Sequence, residues 1–339
     1  MKYLRWLLLY SVILLTACGD QLLEEAVTEV IKLSEEAIVE ENETVNATPT
    51  NSSMEEVTQV DNGCFSNEVY IENEDICTLV IECSDYFTCV EWGNDVVTHL
   101  EFEYGSLVLE ESVATDDDGL KVLTTYNVDN EQEVITTDSD VTDEELAYHG
   151  ELWFSFSWII PEKYREEITR FEVFESGNTL AYVSLHDDFG EYWTLGMNYE
   201  NIELASETLV TYLHEYSHFL SLNFNEVDYW EDEASCPSLF LKNAGCLYED
   251  AYLTGFYLQF WESGASDVFE GNYVSEYAMT SPEEDFAETF AHFVLTETPK
   301  GNSVADEKIL FFYQYEELVE MRTEILSRTA TWLKRSVEK

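Results

Sequence analysis

The spacing of apolar residues changes three times along the chain. Residues 6–15 (WLLLYSVILL) are almost continuously apolar, with Lys2 and Arg5 before them. A run this short is not a stable bilayer span, and a basic start followed by an apolar stretch is the pattern of an export signal. From Gly19 to about Asn62 the chain is rich in Glu, Thr, Asn and Ser, with Lys32 as its one basic residue and no aromatic. That stretch is expected to stay a solvated acidic tether, with a nascent helix around 22–38. Short β-prone runs follow at 68–71, 78–81, 99–102, 106–109 and 121–123, most of them bounded by Gly, Asn or Asp. They predict a small β module. Beyond 144 the period lengthens. Helices are expected over 161–171, where Pro161 suits an early helical position, and near 206–221, 251–263, 282–296 and 306–335. Strands are expected at 180–186 and 192–199. Strands followed by paired helices predict an α+β unit. The expected organisation is an export segment (1–17), a tether (18–62), a β module (63–143) and the α+β unit (144–339), with no internal repeat.

Charge narrows the function classes. Asp and Glu number 71 against 15 Lys and Arg, giving a formal charge of −56. Such a field repels phosphate backbones and anionic headgroups, so it argues against nucleic-acid binding and electrostatic membrane docking. Asp116-Asp117-Asp118-Gly119 and Asp138-Ser139-Asp140 look like pieces of calcium loops, yet neither has the distal bidentate Glu. In so acidic a chain, solvated turns are the better reading.

The cysteines point to a compartment. Leu15-Thr16-Ala17-Cys18 resembles the lipobox of bacterial lipoproteins, in which the cysteine becomes the lipid-modified first residue after cleavage. The resemblance implies a protein outside the cytoplasm, held at the bacterial cell envelope through Cys18; acyl chains in pairs or threes anchor stably. Gly19, where an Asp would favour inner-membrane retention, leans towards the outer membrane if the cell is Gram-negative. Six cysteines remain, an even number that suits an oxidising setting. Cys236 and Cys246, ten apart, are expected to pair, while Cys64, Cys77, Cys83 and Cys89 allow three pairings. A zinc site from those four is disfavoured because their spacings lack close CxxC pairs.

Chemistry concentrates at His214-Glu215-Tyr216-Ser217-His218, an HExxH pattern. On a helix, positions i and i+4 share one face, so both imidazoles can grip one metal while Glu215 sits beside it as a base. Leu209, Leu213, Tyr216 and Leu220 supply an apolar stripe on the same helix. The bland alternative is an amphipathic helix with two chance histidines. Catalytic zinc usually takes three protein ligands and keeps one position open. Downstream, Pro282 suits a first helical turn, and Phe286, Ala287, Phe290, Ala291 and Val294 form a stripe that puts Glu284 and Glu288 on one face. Two carboxylates so placed repel unless something positive lies between them. Each has a plain reading as well: Ser281 with Glu284 makes a capping box, and Glu288 fits a solvated face. Tyr277 reads equally well as a core aromatic. His99, His149, His186 and His292 read as surface or packed residues, with a hydrogen bond expected between Glu288 and His292, one turn on. No G-x-S-x-G elbow or phosphate-cradling glycine loop is present, so serine-hydrolase and nucleotide-binding readings lose.

HExxH followed by a helix with Glu-x-x-x-Glu resembles the gluzincin metallopeptidases, and more closely the branch of anthrax lethal factor and the secreted Pro-Pro endopeptidases. In that branch a Tyr precedes the ligand Glu by seven residues; here Tyr277 precedes Glu284 within Tyr277-Ala278-Met279-Thr280-Ser281-Pro282-Glu283-Glu284-Asp285-Phe286-Ala287-Glu288. The resemblance covers roughly 190–296, and its separation from His218 to Glu284 is longer than in compact members. It implies a zincin-like catalytic domain with one Zn²⁺ per chain, held by His214, His218 and Glu284. It further implies Glu288 as the carboxylate that orients a ligand His, Tyr277 as the phenol that stabilises the oxyanion, and Glu215 as general base. The implied activity is hydrolysis of peptide bonds in a peptide or protein substrate, with the strand near 192–199 adding the substrate backbone to its edge. A non-catalytic adhesion or binding lipoprotein that keeps a zincin-like core is the alternative from a different class. Intact Glu215 weighs against it, since metal binding alone does not need that base.

Overall fold

The computed structural model of the chain describes residues 63–108, 119–129, 134–186, 192–199, 205–242, 244–262 and 270–338. Cys18, the export segment, the tether and the turn at 116–118 lie outside these residues. The described chain opens with a hairpin of β1 (Glu68–Ile71) and β2 (Ile76–Leu79). Disulfides join Cys64 to Cys77 and Cys83 to Cys89. These two bridges resolve the three possible pairings. They also occupy the sulfurs of Cys64 and Cys77, which stand with Glu68 in a metal-like group.

The next element departs from expectation. Residues 99–102, expected as a strand, belong to α1 (Tyr86–Tyr104), a 19-residue helix. Asp85 accepts from the Thr88 N–H, and the Thr88 hydroxyl accepts from the Asp85 N–H, closing a capping box. Val96, Val97 and Leu100 are buried together on one face, so the apolar residue of the expected strand, Leu100, serves a helical period instead. Residues 106–108 carry no regular structure, and Leu109 lies outside the described residues. The stretch 63–143 therefore mixes helix and strand, and its last strands, β3 (Lys121–Asp129) and β4 (Val134–Thr136), join the main sheet.

Thr142 and Glu145 cap α2 (Asp143–Ile159). Pro161 then precedes only a short 3₁₀ turn, Glu162–Tyr164, and the helix expected over 161–171 gives way to β5 (Ile168–Glu175). Buried Phe171 and Val173 alternate there with half-exposed Arg170 and Glu172, the two-residue period of a strand. β6 (Ala181–Leu185) and β7 (Trp193–Asn198) form where strands were expected. The five strands lie in the order β4–β3–β5–β7–β6, with β5 and β7 parallel and the other pairs antiparallel. This order corrects one expectation: β7 is buried at every residue and paired on both sides, so among the described residues the free edge on that side of the sheet belongs to β6, with β4 at the other side.

After α3 (Ala205–Leu222) comes a small sheet of β8 (Val227–Asp228), β9 (Phe240–Leu241) and β10 (Gly245–Leu247), spanned by the Cys236–Cys246 disulfide. Then follow α4 (Tyr252–Phe260), α5 (Pro282–Leu295), α6 (Val304–Phe312) and α7 (Glu316–Glu338); the single helix expected over 306–335 breaks at 313–315. α3 packs against β6 and α5, while α7 packs against α1, α2, α5 and β2. One hydrophobic core runs from Val97 and Leu100 through Trp153, Phe171 and Leu195 to Leu213, Phe286 and Ile325. The architecture is mixed α/β, with small sheets and, among the described residues, seven α-helices.

Candidate metal centre

Burial orients the two helices that matter. Leu209, Leu213, Tyr216 and Leu220 are buried along α3; Phe286, Ala287, Phe290, Ala291 and Val294 are buried along α5. Where the helices meet, His214 and His218 face Glu284 and Glu288. Ser281 caps α5 by accepting from the Glu284 N–H at 3.2 Å. A capping box, the plain alternative for Ser281 and Glu284, is only half made, because the Glu284 carboxylate turns to the imidazoles. Its Oε2 lies 3.1 Å from His214 Nε2 and 3.2 Å from His218 Nε2, and the two Nε2 atoms are 3.1 Å apart. Ligand atoms 2.0–2.1 Å from a tetrahedral ion stand roughly 3.3 Å from one another. The triangle has the size and the donor chemistry for one such ion.

Glu288 supports the triangle from behind. It is 2% exposed, and its Oε1 accepts from His214 Nδ1 at 2.6 Å. The Nδ1 side of the ring is committed to Glu288, so Nε2, on the side of His218 and Glu284, is the atom through which a neutral His214 would ligate a metal. Burial works to raise both carboxyls and to lower His214, but the hydrogen bonds among them outweigh it. Glu284 and Glu288 are held below the usual carboxylate range and His214 well above the usual imidazole range.

Glu215 is buried beside the triangle, and burial pushes its carboxyl above the ordinary range. It accepts a hydrogen bond from the Val183 N–H on β6. The ladder explains why that amide is available. The His186 N–H donates to Tyr192 O and the Asn198 N–H to Leu180 O, so even-numbered residues of this strand bond to β7. Because hydrogen-bonded pairs alternate in an antiparallel ladder, the Val183 N–H and C=O face the free edge. Tyr277 stands in a 3₁₀ turn (Tyr277–Met279), its ring centroid 5.6 Å from that of His214. Burial, helped by the Glu284 charge, pushes its phenol above the usual range, so it remains a donor at neutral pH.

The other histidines have separate surroundings. His99 is exposed on α1, His149 is buried against Tyr126 and His186 stacks on Tyr192. His292 Nδ1 donates to the backbone carbonyl of Glu288 at 3.0 Å, so the expected hydrogen bond between the two residues runs to the main chain. Asp285, next to Glu284, is held by the Lys308 ammonium at 2.6 Å and by Trp261 Nε1 at 2.8 Å. Burial drives the Asp285 carboxyl up to about 6 against the pull of Lys308. Val183, Ser275 and Lys308 carry no local motif that marks them in the sequence.

Residues 198–334 match the family described as "Putative zinc-binding metallo-peptidase". The match supports a zinc metallopeptidase. It runs from the last residue of β7 into α7, and takes in His214, Glu215, His218, Tyr277, Glu284 and Glu288. Neither a curated protein nor a solved structure matches the chain.

Proposed function

We propose that the chain is a zinc endopeptidase of the gluzincin type, with one ion per chain held by His214, His218 and Glu284. The observation that carries the reading is the 3.1–3.2 Å triangle of the two Nε2 atoms and Glu284 Oε2. The seven-residue interval from Tyr277 to Glu284 supports the lethal-factor branch. Bound zinc supplies Lewis acidity, which brings the ionisation of water to near neutral pH and polarises a peptide carbonyl. Glu215 takes a proton from the attacking water and passes it to the leaving amine. Its hydrogen bond to Val183 N–H holds the carboxylate between the metal centre and the edge of β6. Tyr277 donates its phenolic hydrogen to the oxyanion that develops on the scissile carbonyl. The edge of β6 beyond the Val183 N–H, which Glu215 already occupies, receives an extended substrate backbone as an added strand.

Glu215→Gln in the full-length chain tests the assignment. It retains bound zinc and loses roughly 10²–10⁴-fold in peptide cleavage, the share a positioned acid–base group contributes. Stoichiometric zinc in the wild type with no cleavage across a diverse peptide library overturns the enzyme in favour of a binding role. Cys18 belongs to the same proposal, as the lipidated residue of an extracytoplasmic, envelope-anchored protein. No helix of the described residues is long and apolar enough to cross a membrane. Cys18→Ser is expected to abolish incorporation of labelled palmitate and release the protein from the membrane fraction; retained label refutes the anchor.

A further inference from the structure

The Glu288 carboxylate has a second partner. Ser275 Oγ donates to Glu288 Oε2 at 2.7 Å and accepts from the Ala278 N–H at 3.0 Å. A backbone amide can only donate, so one lone pair of the hydroxyl accepts from Ala278 and its proton goes to Glu288. His214 Nδ1 occupies Oε1 at 2.6 Å. Both oxygens of an almost fully buried carboxylate are thereby accepting, which fixes its rotation and, through it, the ring of His214. The Ala278 amide belongs to the 3₁₀ turn that begins at Tyr277. One hydroxyl therefore ties the plane of a candidate ligand to the seat of the phenol beside it.

We infer that Ser275 is a positioning residue for the metal centre, acting through Glu288 on His214 and through the Ala278 turn on Tyr277. The inference rests on the metal reading above. Partners at this remove from a ligand are typically worth 10–100-fold in metal affinity or activity, because they restrict the ligand to one orientation. Loss of the Ser275 hydroxyl leaves Oε2 without its donor and frees the carboxylate to turn away from Nδ1.

The test measures zinc affinity of the full-length chain by competition with a chromogenic chelator, for wild type, Ser275→Ala and Ser275→Thr. Thermal midpoints of the metal-free proteins and the visible spectra of their cobalt forms are recorded alongside. Ser275→Ala is expected to lose about 10-fold in zinc affinity and to alter the cobalt spectrum. Its metal-free midpoint stays near wild type, and Ser275→Thr, which keeps the hydroxyl, restores both readouts. A purely structural serine would lower the midpoint without moving the cobalt bands. Where Ser275→Ala fails to fold, Ser275→Thr against Ser275→Cys makes the same comparison at similar size, since a thiol donates weakly. Wild-type affinity and an unchanged cobalt spectrum in Ser275→Ala, or in Ser275→Cys, overturn the inference while leaving the metal reading intact. A wild type that takes up no zinc sinks the metal reading, and this inference with it.

Discussion

Glu284 illustrates how a residue with two possible partners chooses between them. Its backbone amide caps onto Ser281, while its carboxylate forgoes the reciprocal bond and goes to two imidazoles. A carboxylate on a helix terminus gains only the modest energy of a cap, whereas one buried and one half-buried imidazole offer charge-assisted bonds about twice as strong as neutral ones. Glu226 shows burial winning instead. It accepts from the Tyr252 N–H at 2.8 Å, and burial raises its carboxyl from 4.5 to about 7. Between those values the folded chain holds more protons than the unfolded one, so stability falls as pH rises from about 4.5 to about 7 and then levels. Glu226→Gln keeps the acceptor and removes the titration. Its urea midpoint is therefore expected to gain on wild type across that window; parallel curves contradict the assignment.

At the scale of elements, α5 is clamped at both ends. Ser281 caps its start, and Arg322 of α7, fully buried, donates through Nε to Phe293 O at 2.7 Å and through Nη2 to Thr296 O at 2.9 Å. A cation on the last carbonyls also suits the helix dipole. Gly93 of α1 makes room for it: an added Cβ would lie 2.1 Å from Arg322 Nη1. Gly to Ala inside a helix ordinarily gains about 0.5–1 kcal/mol. Here it must displace a guanidinium whose bonds contribute about 1.5–3 kcal/mol each. Gly93→Ala is thus expected to destabilise by about 1–2 kcal/mol in chemical denaturation, and to become stabilising in an Arg322→Met background. The same sign in both backgrounds would show that the contact does not matter.

For the whole molecule, the N-terminal third of the described chain is built into the rest. The Arg328 guanidinium meets Glu74 at 2.6 Å with both side chains 7% exposed, and Ser327 and Thr331 donate to Leu79 O and Cys77 O at 2.6 and 2.8 Å. β3 supplies the antiparallel partner of β5. A fragment of residues 144–339 would strand Arg328, at a cost of about 3–5 kcal/mol, and expose the covered faces of α7 and β5. Against a typical total of 5–15 kcal/mol, that is enough to unfold it. Residues 63–339 are expected to melt in one cooperative transition and 144–339 to show none by circular dichroism. A cooperative melt of the shorter piece would mean that the two segments fold independently.

Local periodicity carried much of this protein. His214 and His218 share a face because four residues are about one helical turn, and the stripes of α3 and α5 were legible for the same reason. The strand at 99–102 and the helix at 161–171 were misjudged where short runs fit either period, and packing of Val97 and Phe171 decided between them. The meeting of α3 with α5, the free edge at β6, the two N-terminal disulfide pairings and the bonds of Val183 and Ser275 are tertiary decisions. Even where the partners are near in sequence, as in Cys83–Cys89 and Ser275–Ala278, no periodic pattern marks them. Their proximity depends on the packing of the whole core, a sum over many weak contacts that neighbouring residues do not encode.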